Sequence, residues 1–142
     1  MRGTSVRILL LCLILILTAS FLVGCHVNEA LYYESLFDEL DIRARLERVS
    51  FFIETDQAWR GTKRELRAIK RDLRSIEMED PELLEINKGY IRSADLLLYA
   101  VTCLEEGNLE EKQEKWESAK IAFAQAEKRL NRYKANWEKD HG

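Results

Sequence analysis

An apolar seam near the C-terminus of the 142-residue chain limits the fold most strongly. Large and small apolar residues recur there at alternating steps of three and four, the period of one face of an α-helix. The seam consists of Trp116, Ala119, Phe123, Ala126, Leu130, Tyr133 and Trp137. Because the pattern has no gap, it predicts one long helix. The alternation of large and small side chains favours close antiparallel packing against the preceding helix.

A second seam lies between the single proline and a glycine. Asp80-Pro81 suits a helix start, because aspartate caps a first turn and proline fits the first helical position. Gly107 suits the end of that helix, and Asn108 suits the cap of the next one, with Glu111 at the reciprocal position. The apolar face between these boundaries is the widest in the chain and predicts the central helix. Its residues are Leu83, Tyr90, Ala94, Leu97, Val101 and Leu104, with Leu84, Ile91 and Leu98 alongside.

The boundary in the first half of the domain is less sharply marked. Residues 28–61 are densely charged but carry two overlapping helical stripes, which predict a helix buried on more than one side. Gly61 and the Thr62–Glu65 pair indicate a helix end and a new start. The three-four spacing nevertheless continues through Gly61, from Phe52 to Ile76. The prediction is a break or kink at Gly61, and the alternative is one long helix.

These patterns predict an all-α fold, an up-and-down bundle of three or four helices that follows an N-terminal signal segment. The continuous seams are typical of coiled-coil packing. No segment alternates with period two, so a sheet is not expected. The length allows one domain. We therefore divide the chain into a signal segment, residues 1–24, and a helical-bundle domain, residues 25–142.

The first 24 residues have the three parts of an export signal. Arg2 and Arg7 make the start positive, residues 8–17 are apolar, and residues 18–24 are smaller. The segment closes on Leu22-Val23-Gly24-Cys25. This ending resembles the lipobox of bacterial lipoproteins, in which aliphatic and small residues precede an obligatory cysteine.

The resemblance implies a covalent lipid anchor and no other cofactor. Leu22, Val23 and Gly24 would be the recognition residues of the signal peptide, and the chain would be cut before Cys25. Cys25 would then carry a diacylglyceryl group on its thiol and an N-acyl chain such as palmitate. Multiple acyl chains suffice for stable membrane anchoring.

The lipobox also implies a location. The mature protein would be lipid-anchored on the extracytoplasmic side of the cell membrane, and in the outer membrane if the source has one, because His26 follows Cys25 where aspartate would favour the inner membrane. Two alternatives remain. Residues 6–24 are long enough for an uncleaved membrane helix, and ordinary signal cleavage after Ser20 would release a soluble protein.

The composition of the remaining chain excludes some function classes. From Cys25 onward, 20 Lys and Arg face 25 Asp and Glu, a net charge of -5 that argues against nucleic-acid binding. The two histidines, His26 and His141, lie near chain ends, so the common nucleophile and base arrangements are not expected. Glu138-x-x-His141 is half of a di-iron motif without its second half. We expect no enzyme activity, no metal and no small-molecule substrate.

The remaining thiol and the acidic runs have structural interpretations. Cys103 lies among apolar residues of the central helix and is predicted to be buried. The runs 77–85 and 105–114 coincide with helix starts, where the helix dipole favours carboxylates, and lack the spacing of a calcium loop.

A basic stripe is the candidate binding surface. It places seven cations within one helical segment, with Glu65 and Asp72 as the only carboxylates among them. Its residues are Arg60, Lys63, Arg64, Arg67, Lys70, Arg71 and Arg74. Such a stripe could bind anionic lipid headgroups, a wall polymer or an acidic protein. The alternative is a solvated face that balances acidic neighbours.

The sequence therefore predicts a non-catalytic binding or assembly factor of the cell envelope, with an unidentified envelope protein as partner. One alternative is a pilotin-like or tetratricopeptide-like helper of a secretion or pilus machine. The hairpin 96–130 is weakly similar to a tetratricopeptide repeat at its turn and at Trp116 and Ala119. Lys112 departs from that pattern, and no second copy follows. The other alternative is a surface-binding protein that uses the basic stripe.

Overall fold

The computed structural model describes residues 29–58 and 60–141, of which all regular elements are α-helices. The helices are α1 (Glu29–Glu39), α2 (Ile42–Glu54), α3 (Arg60–Ser75), α4 (Pro81–Glu105) and α5 (Leu109–His141). The predicted all-α fold is confirmed. The signal segment lies outside the described residues.

Within the described residues, five helices form four antiparallel rods, because α1 and α2 follow one another along a single rod. Glu34 of α1 pairs with Lys134, and Arg43 of α2 pairs with Glu127, so both helices run antiparallel to α5. Lys70 and Asp95 pair between α3 and α4, which are also antiparallel. The up-and-down bundle therefore has its first rod broken near Leu40. One end of the bundle carries Glu29, the end of α3, the start of α4 and the end of α5; we call it the Glu29 end.

Three helices end at residues whose backbone has a left-handed conformation. Asp41, Asp56 and Gly107 have φ of 52°, 55° and 73°. At the end of α2 the Asp56 amide donates to the Ile53 carbonyl at 3.2 Å and the Gln57 amide to the Phe52 carbonyl at 2.8 Å. This pair of bonds is the Schellman motif. Gly107 ends α4 in the same way, as the sequence predicts.

The predicted break at Gly61 lies elsewhere. The chain leaves the helix at Thr55, and α3 begins at Arg60, so Gly61 is a helical residue. Thr62 is buried in the first turns of α3 and does not cap it. The break is real, but the left-handed residue that ends α2 is Asp56, five residues before the glycine. A second break, at Asp41, has no counterpart in the prediction.

The starts of α4 and α5 follow the sequence signals. Asp80 Oδ1 accepts from the amides of Glu82 at 2.8 Å and Leu83 at 3.0 Å. Asn108 Oδ1 accepts from the Glu111 amide at 3.2 Å, and its amide group donates to the Glu111 carboxylate at 2.8 Å. Both predicted caps are confirmed.

The core lies between α4 and the surrounding rods. α4 contributes the largest buried set, which makes it the central helix: Leu83, Ile86, Tyr90, Ala94, Leu97, Ala100 and Val101. α4 and α5 approach closely where side chains are small, and a Cβ added to Gly89 would lie 3.1 Å from the Ala126 Cβ. Ser93 Oγ donates to the Ala119 carbonyl across the same interface at 2.9 Å. The seam of large and small residues in α5 therefore packs as predicted.

Candidate functional site

The basic stripe on α3 divides into two sets. Five arginines are exposed and spaced by four, three, four and three residues, which keeps them on one face of the helix. We call them the arginine row: Arg60, Arg64, Arg67, Arg71 and Arg74. Over 14 steps of 1.5 Å the row extends for about 21 Å. The buried face of α3 carries Leu66, Ile69 and Leu73.

The two lysines of the stripe turn towards α4. Lys63 pairs with Glu105 and Lys70 with Asp95, and the exposed fractions of the two lysine side chains are only 21% and 16%. They lie seven residues apart, which is two turns along the edge of α3 next to α4. These lysines join helices, and only the five arginines face solvent as a set.

The acidic residues of α3 do not neutralise the arginine row. Arg45 of α2 reaches both of them, with Nε 2.5 Å from a Glu65 oxygen and NH1 2.7 Å from an Asp72 oxygen. Asp72 also approaches Arg71, but only at 4.0 Å. Among the described residues no ion pair involves the remaining four arginines of the row. The row is therefore a concentrated positive charge in contact with solvent.

The rest of the domain has the opposite charge. α3 carries seven of the 20 cations found from Cys25 onward but two of the 25 carboxylates, so it is net +5 and the remainder is net -10. At the Glu29 end, Glu77, Glu79 and Glu82 are exposed, and Glu29 accepts a hydrogen bond from the Asp80 amide at 2.9 Å. The bundle thus has one basic side and an acidic end.

A pocket of about 300 Å³ opens between α2, α4 and α5. Its lining is mainly apolar: Leu46, Phe51, Leu97, Trp116, Ala119 and Phe123. The Trp116 indole donates to Ser50 Oγ at 2.9 Å, and the Lys120 ammonium lies 4.1 Å from the centre of the Trp116 ring. Phe51 is 56% exposed at the rim. The sequence patterns did not reveal this pocket, because helical spacing placed Phe52 in the seam and left Phe51 without a role.

Lys112 accounts for the departure from the tetratricopeptide pattern. Its side chain is 6% exposed, and its ammonium lies 2.7 Å from an Asp56 oxygen. It therefore joins the start of α5 to the turn after α2, where a tetratricopeptide repeat would pack an alanine. The hairpin of α4 and α5 is part of a closed bundle.

Some of the other predicted features can be located in the structure, and the rest lie outside the described residues. Cys103 is buried in α4, as predicted. Leu22, Val23, Gly24 and Cys25 precede the described part of the chain. Within that part, no group of three or more potential ligands could hold a metal ion, and no helix has the length and hydropathy to cross a membrane.

Comparison of the chain with protein-family models, with curated proteins and with solved structures finds no match.

Proposed function

We propose that the protein is a lipid-anchored, extracytoplasmic binding protein of the bacterial cell envelope that acts without catalysing a reaction. The anchor would be Cys25, because the residues before it resemble a lipobox. The binding domain would be the helical-bundle domain, residues 25–142. The protein would be located on the extracytoplasmic face of the cell membrane, or in the outer membrane if the source has one.

The arginine row is the observation that carries the binding role. Guanidinium groups pair with phosphate or carboxylate oxygens through two parallel hydrogen bonds, so a row of them fits a repeating anionic surface. The lysines beside the row are already paired, and the carboxylates of α3 are paired with Arg45. The arginines thus remain available for an external anion.

The anchor is tested by the mass of the mature N-terminus. Protein purified from membranes should begin at Cys25 and carry the mass of a diacylglyceryl group and an N-acyl chain. Cys25→Ser should lack the lipid and remain uncleaved, because the thiol is the acceptor. A different N-terminus, or an unmodified Cys25, would contradict the anchor.

The binding face is tested with long-chain polyphosphate as a defined polyanion. Affinity should fall as salt rises, because counterions are released on binding. Replacing the arginine row by glutamine should weaken binding by at least about 100-fold, given roughly 1 kcal/mol for each cation near an anionic surface.

The matched control removes five exposed cations from the outer faces of α4 and α5. These residues are Arg92, Lys128, Arg129, Arg132 and Lys139, which we call the outer set. Replacing the outer set by glutamine changes the net charge by the same amount and should change the affinity far less. Equal losses in the two variants would show that total charge, and not the row, determines binding.

The pocket favours a second candidate function, that of an assembly factor for a secretion or pilus machine. Its apolar lining and the exposed Phe51 could receive an apolar side chain of an envelope protein. A photo-crosslinking residue at position 51 should then capture one specific protein in cells. The same residue at Ile121, which is 59% exposed on α5 and does not line the pocket, is the control. Equal capture from both positions would exclude a role for the pocket.

A further inference from the structure

The chain enters the bundle at the Glu29 end. Glu29 begins α1 and bonds to Asp80, at the start of α4. Three residues separate it from Cys25, and the four Cα–Cα steps between them span at most about 14 Å in extended chain. A lipid on Cys25 would therefore hold the Glu29 end close to the bilayer, whichever side of the bundle faces the lipid.

An end-on orientation would bring carboxylates to the membrane. Glu77 and Glu79 lie beside Glu29, around a surface pocket that Tyr32 and Met78 also line. Glu82 is exposed in the first turn of α4 at the same end. A bilayer with anionic headgroups repels these groups over the Debye length of about 8 Å.

A sideways orientation brings the arginine row to the membrane instead. α3 runs antiparallel to α4, so Arg74 lies near the Glu29 end and Arg60 lies about 21 Å further along the bundle. The row faces away from the core, and its near end, Arg74, lies at the end of the bundle where the chain leaves for the anchor. The short connection to Cys25 and the row can therefore reach the same surface together.

We propose that the partner of the arginine row is the anionic surface of the bilayer that holds the anchor, so that the bundle lies on its side with α3 along the membrane. This inference rests on the proposed lipid anchor and binding face, and it names their shared partner. Phosphate groups of anionic lipids are the ligand, and the outer faces of α4 and α5 remain exposed to solvent.

The test measures arginine modification on vesicles. Protein purified from membranes is reconstituted on vesicles of phosphatidylcholine alone or mixed with phosphatidylglycerol, and is treated with phenylglyoxal, which modifies accessible arginines. Mass spectrometry then compares Arg64, Arg67 and Arg71 with Arg92 and Arg132 in the same molecule. In the anionic vesicles, modification of the row should fall by at least about fivefold, the factor for one surface cation, and high salt should restore it. Arg92 and Arg132 should react equally in both vesicles.

The outcomes separate this inference from the proposed function. Protein that does not float with phosphatidylcholine vesicles lacks the anchor, which would overturn the proposed function and this inference with it. Protein that floats and binds polyphosphate through the row, but whose row reacts equally on both vesicles, would overturn the orientation alone. The arginine row would then bind an acidic polymer or protein away from the bilayer. Protection of Arg92 and Arg132, instead of the arginine row, would also overturn the proposed orientation.

Discussion

At the scale of single residues, Asn87 joins three helices through one buried amide. Its oxygen accepts from the Tyr33 hydroxyl of α1 at 3.1 Å, and its nitrogen donates to the Leu73 carbonyl of α3 at 2.9 Å. That carbonyl lies in the last turn of α3, where no amide of the helix can reach it. Burial raises the pKa of Tyr33, so its hydroxyl stays neutral and keeps donating.

Asn87→Ala should lower the free energy of unfolding by about 2 kcal/mol, because two buried polar groups lose their partner. Urea denaturation followed by circular dichroism measures the difference. Asn131→Ala, an exposed site on α5, is the control and should change stability by less than about 0.5 kcal/mol. Equal effects would mean that water replaces the Asn87 amide without loss.

Asp80 is a second residue with several roles. Besides capping α4, its Oδ2 accepts from the Tyr133 hydroxyl of α5 at 2.8 Å. Burial by itself raises the pKa of Asp80, but the hydrogen bonds from Tyr133, Leu83 and Glu82 outweigh it, and the pKa is lowered. The charge therefore stabilises the folded state above the unfolded pKa of about 3.9, and this contribution is lost as pH falls through the folded pKa.

Asp80→Asn keeps a side chain that can cap the helix and removes only the charge. At neutral pH it should lower the free energy of unfolding by about 1 kcal/mol, because charged hydrogen bonds exceed neutral ones by about that much. The difference from wild type should shrink once the pH is below about 4. Urea titrations across this range measure it, with Asp140→Asn at the exposed end of α5 as control. A difference that does not vary with pH would contradict a role for the charge.

At the scale of elements, α3 holds an arrangement that costs stability. Neighbouring arginines of the row are three or four residues apart, a spacing at which like charges destabilise a helix by about 0.2–0.5 kcal/mol for each pair. Glu65 and Asp72 are engaged by Arg45 and relieve this repulsion little. The external anion of the proposed binding role would relieve this repulsion.

Replacing the arginine row by glutamine should therefore make the domain more stable than replacing the outer set, by about 1 kcal/mol at low salt. Both variants reach a net charge of -10 from residue 25 onward, so the comparison removes the effect of total charge. Urea denaturation at low and high salt measures the difference, which should shrink as salt screens the row. If the row variant is the less stable one, the arginines of the row stabilise the fold. The proposed binding role then loses the support that it takes from repulsion among them.

At the scale of the whole molecule, contacts at both ends close the bundle. Lys134 of α5 pairs with Glu34 of α1 at 2.7 Å, and Lys112 at the other end of α5 pairs with Asp56. Cys103, near the C-terminal end of α4, is 2% exposed. Burial, together with the nearby Glu111 and Glu106 charges, raises the pKa of its thiol. The thiol should react only when the bundle opens.

If the proposed cleavage removes Cys12 and the proposed lipid blocks the Cys25 thiol, the mature protein should show almost no thiol reaction under native conditions and one reactive thiol in urea. The urea midpoint from thiol reaction should coincide with that from circular dichroism, because a single domain of this size unfolds as one unit. Cys103→Ser is the control and should show no reactive thiol at all. Rapid reaction without urea would contradict this prediction and show that the end of α4 opens locally.

Local signals determined much of this architecture from the sequence. The Asp80-Pro81 start, the Gly107 end and the seam of α5 need only the preferences of a few neighbouring residues and the helical period. The position of the arginine row on one face of a helix follows from the same spacing. A helix face and a helix end are properties of the chain within a few turns, so the sequence alone predicts them.

The tertiary structure alone decided where the first rod breaks and which cations face solvent. Asp41 and Asp56 take a left-handed conformation that aspartate tolerates but does not demand, so packing against the other rods decides whether it is used. Lys63 and Lys70 lie along the edge of α3 next to α4, and they are paired because Glu105 and Asp95 lie across from them on α4. Pairing and burial depend on residues far away in the sequence, and these become neighbours only when the bundle closes.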